Sequence, residues 1–173
     1  MKADEEMVVI VDDENRVVGA APRSKMRKER LPHRAVYVLV FNSANELFVQ
    51  KRTMSKDIYP GYYDIAAGGV VAANESYEQS AERELAEELG VSSVPLSFLF
   101  DCRYEDEDNL VWGRVFACRY DGRVILQEEE VASGRFMPFA AIQALSRREL
   151  FTPDGLVILA RLVQEYGLPE ERT

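Results

Sequence analysis

The sequence contains few of the residues that build disulfide frameworks or histidine metal sites. Among its 173 residues are two cysteines and one histidine. Cys102 and Cys118 lie in strand-like segments, so buried free thiols are expected rather than a disulfide. His33 stands directly before a strand-like run and is expected to be structural. A single histidine also excludes a multi-histidine metal site.

Positive charge and long apolar runs are scarce as well. The chain has 21 basic and 30 acidic residues, a net charge of −9, which argues against non-specific binding to nucleic acid or to an anionic membrane. No apolar run approaches the roughly 20 residues that span a bilayer, and the N-terminal residues lack the order of a signal peptide. We therefore expect a cytoplasmic protein without a nucleic acid or membrane partner. An anionic small molecule remains compatible if a metal supplies positive charge.

Length and composition predict a single globular domain over residues 1–173. The hydrophobic content of 47% and the charged content of 29% are those of an ordinary globular protein. Strand-like and helix-like segments mix without strict alternation. This favours an α+β fold, a mixed sheet between helices in an α/β/α sandwich, over a purely parallel sheet.

Residues 1–31 are predicted to form an N-terminal β-hairpin, with strands at 7–11 and 16–21, followed by a short helix at 22–29. This segment carries the one concentrated basic patch of the chain. Two interpretations stay open: a solvated helix, or a surface that faces phosphate or a partner. The basic residues are Arg23, Lys25, Arg27, Lys28 and Arg30.

The rest of the chain predicts further strands and two more helices near the C-terminus. The run 36–41 is apolar at nearly every position, which suits a strand buried on both faces. Thr152 followed by Pro153 is a favourable helix start. Trp112, the single tryptophan, is expected to pack in the core or at its rim. The predicted strands are 36–41, 46–51, 64–71, 95–104, 110–120 and 134–137, and the helices are 138–145 and 152–166.

Residues 69–91 are the most informative stretch. Asn74 is a plausible N-cap of a helix, and Gly90 stands where a left-handed C-terminal cap belongs. At helical spacing Glu84, Glu87 and Glu88 share one face. Like-charged pairs on one turn cost roughly 0.2–0.5 kcal/mol each when exposed, and a divalent cation would remove this repulsion because carboxylate oxygens suit Mg²⁺.

The spacing within this stretch resembles the Nudix box, and we take it to be the Nudix box of this chain. The pattern is Gly, five residues, Glu, seven residues, Arg-Glu-apolar, one residue, Glu-Glu, one residue, Gly-apolar. Seven fixed identities at roughly 6–7% usage give a chance match on the order of 10⁻⁸ per start position. The matching residues are Gly69, Glu75, Arg83, Glu84, Leu85, Glu87, Glu88, Gly90 and Val91.

The resemblance implies a Nudix-like fold and metal-dependent hydrolysis of a diphosphate linkage in a small molecule such as a nucleoside diphosphate derivative. It implies that Glu84, Glu87, Glu88 and the carbonyl of Gly69 bind Mg²⁺ or Mn²⁺, and that Arg83 orients a carboxylate. The general base stays open between a box glutamate and an acid elsewhere. The loop candidates are Glu128, Glu129 and Glu130, of which Glu130 is preferred because Glu-Val before a strand resembles family sequences. The chain could form a homodimer.

A looser resemblance, over about residues 7–165, points to the bacterial Nudix branch that is similar to type I isopentenyl diphosphate isomerase. Two alternatives to the hydrolase follow: the isomerase itself, and a non-catalytic nucleotide-binding Nudix module. The isomerase needs a cysteine after the Pro60-Gly61 turn, where this chain has Ile65, Ala66 and Ala67. The sensor module often lacks box carboxylates, all of which are present here. The residues that carry the branch resemblance are Pro32-His33-Arg34-Ala35, Phe41-Asn42, Gln50-Lys51-Arg52, Lys56-Asp57, Tyr59-Pro60-Gly61 and Phe151-Thr152-Pro153.

Overall fold

The computed structural model describes residues 5–167 and contains nine strands and four helices within that range. None of the helices in residues 5–167 is both long and apolar enough to cross a membrane. In chain order the elements are β1 (Met7–Val11), β2 (Val17–Pro22), α1 (Arg23–Glu29), β3 (His33–Phe41), β4 (Leu47–Arg52), β5 (Tyr63–Asp64), β6 (Ala67–Val70), α2 (Tyr77–Leu89), β7 (Ser97–Glu105), β8 (Leu110–Arg119), β9 (Val131–Met137), α3 (Phe139–Ser146) and α4 (Pro153–Tyr166).

The strands join in one mixed sheet around β3. This strand pairs antiparallel with β1, β4 and β6, and parallel with β8. The parallel register runs from His33 opposite Val111 to Phe41 opposite Arg119. Strand β2 pairs with β1, β7 pairs with β8, and β5 and β9 both pair with β4. The mixed sheet confirms the prediction over a purely parallel one.

Helices cover both faces of the sheet, and β3 supplies core residues to each. Its odd-numbered residues from Ala35 to Leu39 belong to a core that includes residues of α3 and α4. Its even-numbered residues from Val36 to Val40 belong to a second core that includes residues of α2. Side chains alternate between the faces of a strand, so an almost unbroken apolar run is what a strand between two helical layers requires.

The N-terminal hairpin and α1 extend this sandwich at one side. Strands β1 and β2 pair antiparallel as predicted. Met26 of α1 is buried together with Val8 of β1 and Val70 of β6. This small third core holds α1 beside the Gly-rich strand β6, and it thereby brings the basic residues of α1 close to the segment that precedes α2.

Two local predictions were wrong. The predicted strand 64–71 is two strands, because β5 pairs with β4 whereas β6 pairs with β3. Ile65 and Ala66 make the crossing between them and are buried. The N-cap of α2 is Ser76, not Asn74. The single domain over residues 1–173 stays a prediction.

Candidate active site

Helix α2 is fixed at both ends by its own sequence. Ser76 accepts a hydrogen bond from the backbone of Gln79, whose side chain bonds back to Ser76, and this reciprocal capping box satisfies donors that the helix start leaves free. Gly90 ends the helix in the left-handed conformation, at a φ of 66°. The buried residues of one helix face, among them Leu85 and Leu89, pack on the sheet, so the glutamates are held in a defined position beside β6.

The two glycines of β6 allow α2 and β3 to approach its backbone. A Cβ at Gly68 would lie 1.9 Å from the carbonyl oxygen of Val36, and a Cβ at Gly69 would lie 2.6 Å from Glu84 Oε1. Any side chain at Gly68 would therefore clash with backbone, and one at Gly69 would push the Glu84 carboxylate away. The Glu84 carboxylate therefore packs directly against the backbone of β6, in space that a side chain at Gly69 would occupy.

Glu88 is the most buried of the three glutamates, with 2% of its surface exposed. Its Oε2 accepts hydrogen bonds of 3.2 Å from Gln50 Nε2 and from the Gly68 amide. Its Oε1 lies 3.9 Å from Lys56 Nζ. Burial raises the pKa of Glu88 to about 8, against the opposing charge of Lys56. A carboxyl in this position favours binding of additional positive charge, because its few partners do not offset its loss of hydration.

Glu84 and Glu87 are more exposed than Glu88, and both contact the Arg83 guanidinium. The Glu84 side chain is 14% exposed and that of Glu87 is 51% exposed. Arg83 Nη1 lies 2.8 Å from Glu84 Oε1 and 3.3 Å from Glu87 Oε2. Burial raises the pKa of Glu84, and Arg83 opposes that shift. We refer to Glu84, Glu87 and Glu88 together as the acidic face.

Arg83 binds mainly to Glu75, the first glutamate of the box. Its Nε and Nη2 donate to the two Glu75 oxygens at 2.8 and 3.0 Å, a bidentate pairing that fixes the guanidinium plane. Ser80 also donates to Glu75. Glu75 therefore points towards Arg83 rather than towards the acidic face. Within residues 5–167, no group of three His, Cys, Asp or Glu side chains converges closely enough to form a ready-made metal site.

Glu130 is brought to the acidic face by contacts between two loops. Lys56 Nζ forms an ion pair with Glu130 Oε2 and lies near Glu88. The Thr53 amide donates to the Glu130 carbonyl, and the Thr53 hydroxyl to that of Glu129. Lys56 therefore connects Glu130 and Glu88. The side chains of Glu128 and Glu129, the other two loop candidates, are exposed.

A narrow cleft of about 70 Å³ opens beside β6 and the acidic face. Four cationic side chains line it, namely Arg23, Arg27, Arg52 and Lys56, and we call it the basic cleft. Asp57 accepts from Arg23 Nε at 3.0 Å and from Arg27 Nε at 2.9 Å. One carboxylate thus holds two guanidinium groups of α1 in place at the cleft.

The basic patch predicted from the sequence is therefore divided. Arg23 and Arg27 line the cleft, whereas Lys25 and Lys28 are exposed. Arg30 instead donates to the Asp106 carbonyl and to Glu105 of the acidic turn. Part of the patch is therefore solvated, and whether the part at the cleft faces phosphate or a partner stays a prediction.

The inner part of the cleft contains polar side chains that the sequence analysis did not assign to a site. Tyr37 donates to Asp154 Oδ2 at 2.7 Å, and Asp64 lies 3.6 Å from Arg52 Nη1. Burial raises the pKa of Asp64 to about 6. The signal in the sequence was that Asp64 and Asp154 stand in otherwise apolar segments. A charged group is buried only where another group pairs with it, so such positions indicate a polar site.

His33 also lines the cleft, although its ring makes a structural contact. It is 2% exposed, and its Nδ1 lies 2.9 Å from the Leu31 carbonyl oxygen. Burial lowers the pKa of His33 to about 4, so the ring is neutral near pH 7. Trp112 packs at the rim of the α2 core, as expected. Cys102 and Cys118 are free thiols, the first partly and the second fully buried.

The comparisons with known proteins agree with this geometry. The model of the NUDIX domain family matches residues 31–159. The chain belongs to the Nudix family. It is 41% identical over 158 residues to the uncharacterized Nudix hydrolase PA4841 of Pseudomonas aeruginosa, covering 91% of this chain and 93% of that protein. It is 42% identical to the uncharacterized Nudix hydrolase YfcD of Escherichia coli, covering 91% and 87%.

A solved structure shows the same fold. DR0079 of Deinococcus radiodurans matches with a TM-score of 0.77 and 27% identity over 90% of this chain and 98% of that one. The chain is therefore a Nudix hydrolase with pyrophosphohydrolase activity, from a family that generally hydrolyses nucleoside diphosphate derivatives and generally uses a divalent metal such as Mg²⁺. This result favours the enzyme over the non-catalytic module.

Proposed function

We propose that this Nudix hydrolase cleaves a diphosphate linkage with Mg²⁺ or Mn²⁺ held by Glu84, Glu87, Glu88 and the carbonyl of Gly69. The observation that carries the proposal is the close packing of the partly buried Glu84 and the buried Glu88 carboxylates against the glycine strand, beside the basic cleft. The donor set fits a hard divalent cation, because it consists of oxygen atoms with few protein donors of their own.

The residues of the chain would divide the work as follows. When bound, the cation would neutralise phosphate oxygens and would lower the pKa of a water nucleophile towards neutrality. Arg83 positions Glu84 through its direct bond and is itself held by Glu75. Arg52 and Lys56 line the cleft where phosphate oxygens would lie. Glu130, paired with Lys56, is the group we propose as acceptor of the proton from the attacking water.

The test is a phosphate-release assay on a panel of nucleoside diphosphate derivatives and prenyl diphosphates, with millimolar Mg²⁺ or with excess chelator. We expect turnover with the cation and loss of turnover in chelator, because carboxylates alone repel a phosphate group. Hydrolysis that continues undiminished in chelator would contradict the metal assignment.

The isomerase-like branch, the cytoplasmic location and the homodimer stay predictions. Several of the residues that carry the branch resemblance line the basic cleft, among them Gln50, Arg52, Lys56 and Thr152. The positions of the two thiols do not support the isomerase reaction. Neither Cys102 nor Cys118 lines the cleft, and burial raises the pKa of each to about 11.

A further inference from the structure

Arg52 lines the basic cleft with two of its three nitrogen atoms already engaged by the protein. Its Nη1 lies 3.6 Å from Asp64 Oδ2, and its Nη2 donates to the Ile58 carbonyl at 3.1 Å. The third nitrogen, Nε, is buried and has no hydrogen-bond partner among residues 5–167. A buried donor without an acceptor destabilises the fold, so the Nε–H indicates an acceptor that a ligand supplies.

Asp64 is the carboxylate that fixes this arrangement. It is buried, and within residues 5–167 the cation that pairs with it is Arg52. The Ala66 amide donates to Asp64 Oδ1 at 3.2 Å, which leaves Oδ2 for the guanidinium. Burial raises the pKa of Asp64 to about 6, against the charge of Arg52. The carboxyl is therefore mainly ionised at pH 7 and can hold the arginine.

The start of α4 supports Asp64 through a side chain. Thr152 is the N-cap residue of α4, as predicted, but its side chain makes no capping hydrogen bond within the described residues. Its hydroxyl instead acts as a hydrogen-bond donor to Asp64, which favours the ionised carboxyl in opposition to burial. Gly155 leaves room for this contact, because a Cβ there would lie 2.4 Å from Thr152 Oγ1 and 3.3 Å from Asp64 Oδ1.

The backbone that carries Asp64 is hydrogen-bonded on both sides. Strand β5 consists of Tyr63 and Asp64 alone, and it pairs with β4, the strand of Arg52. On the other side, the Tyr63 amide donates to the Leu150 carbonyl and the Thr152 amide donates to the Tyr63 carbonyl, each at 2.8 Å. This short strand is thereby held between β4 and the start of α4, which fixes the position of Asp64 relative to Arg52.

The neighbouring carboxylate of Asp154 is occupied by other partners. Its Oδ2 accepts from the Tyr37 hydroxyl at 2.7 Å, and its Oδ1 accepts from the Gly155 amide at 3.0 Å. The ion pair of Arg52 is with Asp64. Of the two buried aspartates at the inner part of the cleft, Asp64 is therefore the one that can orient the guanidinium.

We propose that Asp64 is a positioning residue for substrate binding, which holds Arg52 so that its Nε–H is free to bind a phosphate oxygen of the diphosphate. An ionised phosphate oxygen accepts a strong, charge-assisted hydrogen bond from a guanidinium. The inference rests on the proposed function, which places phosphate oxygens beside Arg52. It adds that Asp64 contacts no substrate and influences binding only through Arg52.

A double-mutant cycle tests this dependence. The affinity for methylenediphosphonate, a non-hydrolysable diphosphate, is measured by calorimetric titration in Mg²⁺. Asp64→Asn keeps the shape of the side chain but removes its charge, and Arg52→Gln removes the guanidinium. Each change should weaken binding by at least about 10-fold, as expected for loss of a hydrogen bond to a charged group. In the Arg52→Gln background, Asp64→Asn should change the affinity by less than about twofold, because the two residues act through one contact.

Asp101→Asn is the matched control for this cycle. Asp101 also pairs with an arginine, Arg114, but it lies outside the cleft, so its replacement should leave the affinity within about twofold of wild type. Equal losses from Asp64→Asn with and without Arg52 would overturn the proposal, since Asp64 would then act on the fold as a whole. Unchanged affinity in Asp64→Asn, or no binding of the diphosphonate by wild type, would overturn it as well.

Two further measurements decide the proposal even if Asp64→Asn fails to fold. In proton–nitrogen correlation spectra, the Arg52 Nε–H signal, assigned by its loss in Arg52→Gln, should shift when methylenediphosphonate binds to wild type. Thr152→Val, which removes the hydroxyl that supports Asp64, should weaken binding by about 2–5-fold and should have no effect in the Arg52→Gln background. An Nε–H signal that does not respond to the diphosphonate would overturn the proposal.

The proposed function is judged separately, by phosphate release. A non-additive cycle without hydrolysis of any substrate would retain Asp64 as a positioning residue for a bound diphosphate and contradict the proposed function. Metal-dependent hydrolysis together with an additive cycle would retain the proposed function and overturn the role of Asp64.

Discussion

The acidic face and the basic cleft lie side by side, but their charges are balanced differently. The acidic face comes from one helix, and among residues 5–167 the cation that pairs with Glu88 is Lys56, at 3.9 Å. In the basic cleft, Arg23 and Arg27 of α1 are already paired with Asp57 of a separate loop. The negative charge of the acidic face is therefore poorly compensated by the protein. The two arginines of α1, in contrast, are held in place by Asp57 before any ligand binds.

The largest expected effect is on the acidic face. Glu88→Gln keeps the size of the side chain but removes the charge proposed to hold the cation, so turnover should fall by at least about 100-fold, since loss of second-shell partners alone costs 10–100-fold. Glu82→Gln on the exposed side of the same helix is the matched control and should stay within twofold. Steady-state kinetics in Mg²⁺ compare the two. A loss below tenfold with unchanged metal affinity would remove Glu88 from the main ligands.

A cation should also stabilise the fold through the acidic face. Binding to the folded chain alone contributes about 2.7 kcal/mol at a hundredfold excess over Kd, which raises Tm by about 5–10 °C for a chain of this size. The increase should shrink strongly in Glu88→Gln and should not be reproduced by monovalent salt of equal ionic strength. Thermal melts with and without Mg²⁺ measure it. Identical shifts in wild type and variant would locate the cation elsewhere.

The free energy of unfolding should depend on pH in the acid range through Asp57, which holds two arginines of the basic cleft. Burial alone would raise the pKa of Asp57, but Arg27 and Arg23 outweigh it and hold the pKa well below its ordinary value of 3.8. The unfolded chain therefore takes up this proton first, so the stability that Asp57 contributes is present above about pH 4 and is lost as the pH falls further. Asp57→Asn should cost about 1–3 kcal/mol at pH 7 and flatten the acid-side decline.

Urea denaturation at pH 7, 5 and 3.5 tests this expectation. Asp13→Asn, a change of the same kind at an exposed position, is the control and should keep both the stability and the slope of wild type. Parallel declines of wild type and Asp57→Asn below pH 5 would show that the two arginines do not depend on this carboxylate.

The smallest effect is expected away from both regions. Cys102→Ala and Cys118→Ala should leave turnover within about threefold of wild type, because the hydrolase needs no thiol and neither thiol lines the cleft. Melting curves confirm that each variant is folded before kinetics are measured. A collapse of activity in a folded variant would revive thiol chemistry of the isomerase kind.

Local signals explain which parts of the molecule the sequence predicts well. The acidic face follows from helical spacing within five residues, and the burial of β3 follows from its unbroken apolar run. The N-cap of α2 was misplaced by two residues because Asn74 and Ser76 are both good capping residues. Only Ser76 has Gln79 three positions on, and this reciprocal pair decides the helix start.

The basic cleft could not be predicted because no local pattern encodes it. Arg23, Arg52 and Thr152 come from three distant segments that only the packing of the sheet brings together. The basic patch gave a partial signal, yet its spacing did not show that Arg23 and Arg27 would share Asp57. The motifs of the looser resemblance were the better guide, since several of their members meet at this cleft.

The parallel pairing of β3 with β8 has a consequence for the order in which the molecule is completed. Residues 42–109 separate these two strands, and the whole Nudix box lies within that crossover. Pairing such distant segments requires closure of a long loop, which is slow compared with the formation of a helix. A growing chain that has just reached β8 already contains every box residue, but it lacks Glu130 and Thr152. The cleft can therefore be complete only after the segment around Thr152, at the start of α4, has docked on the sheet.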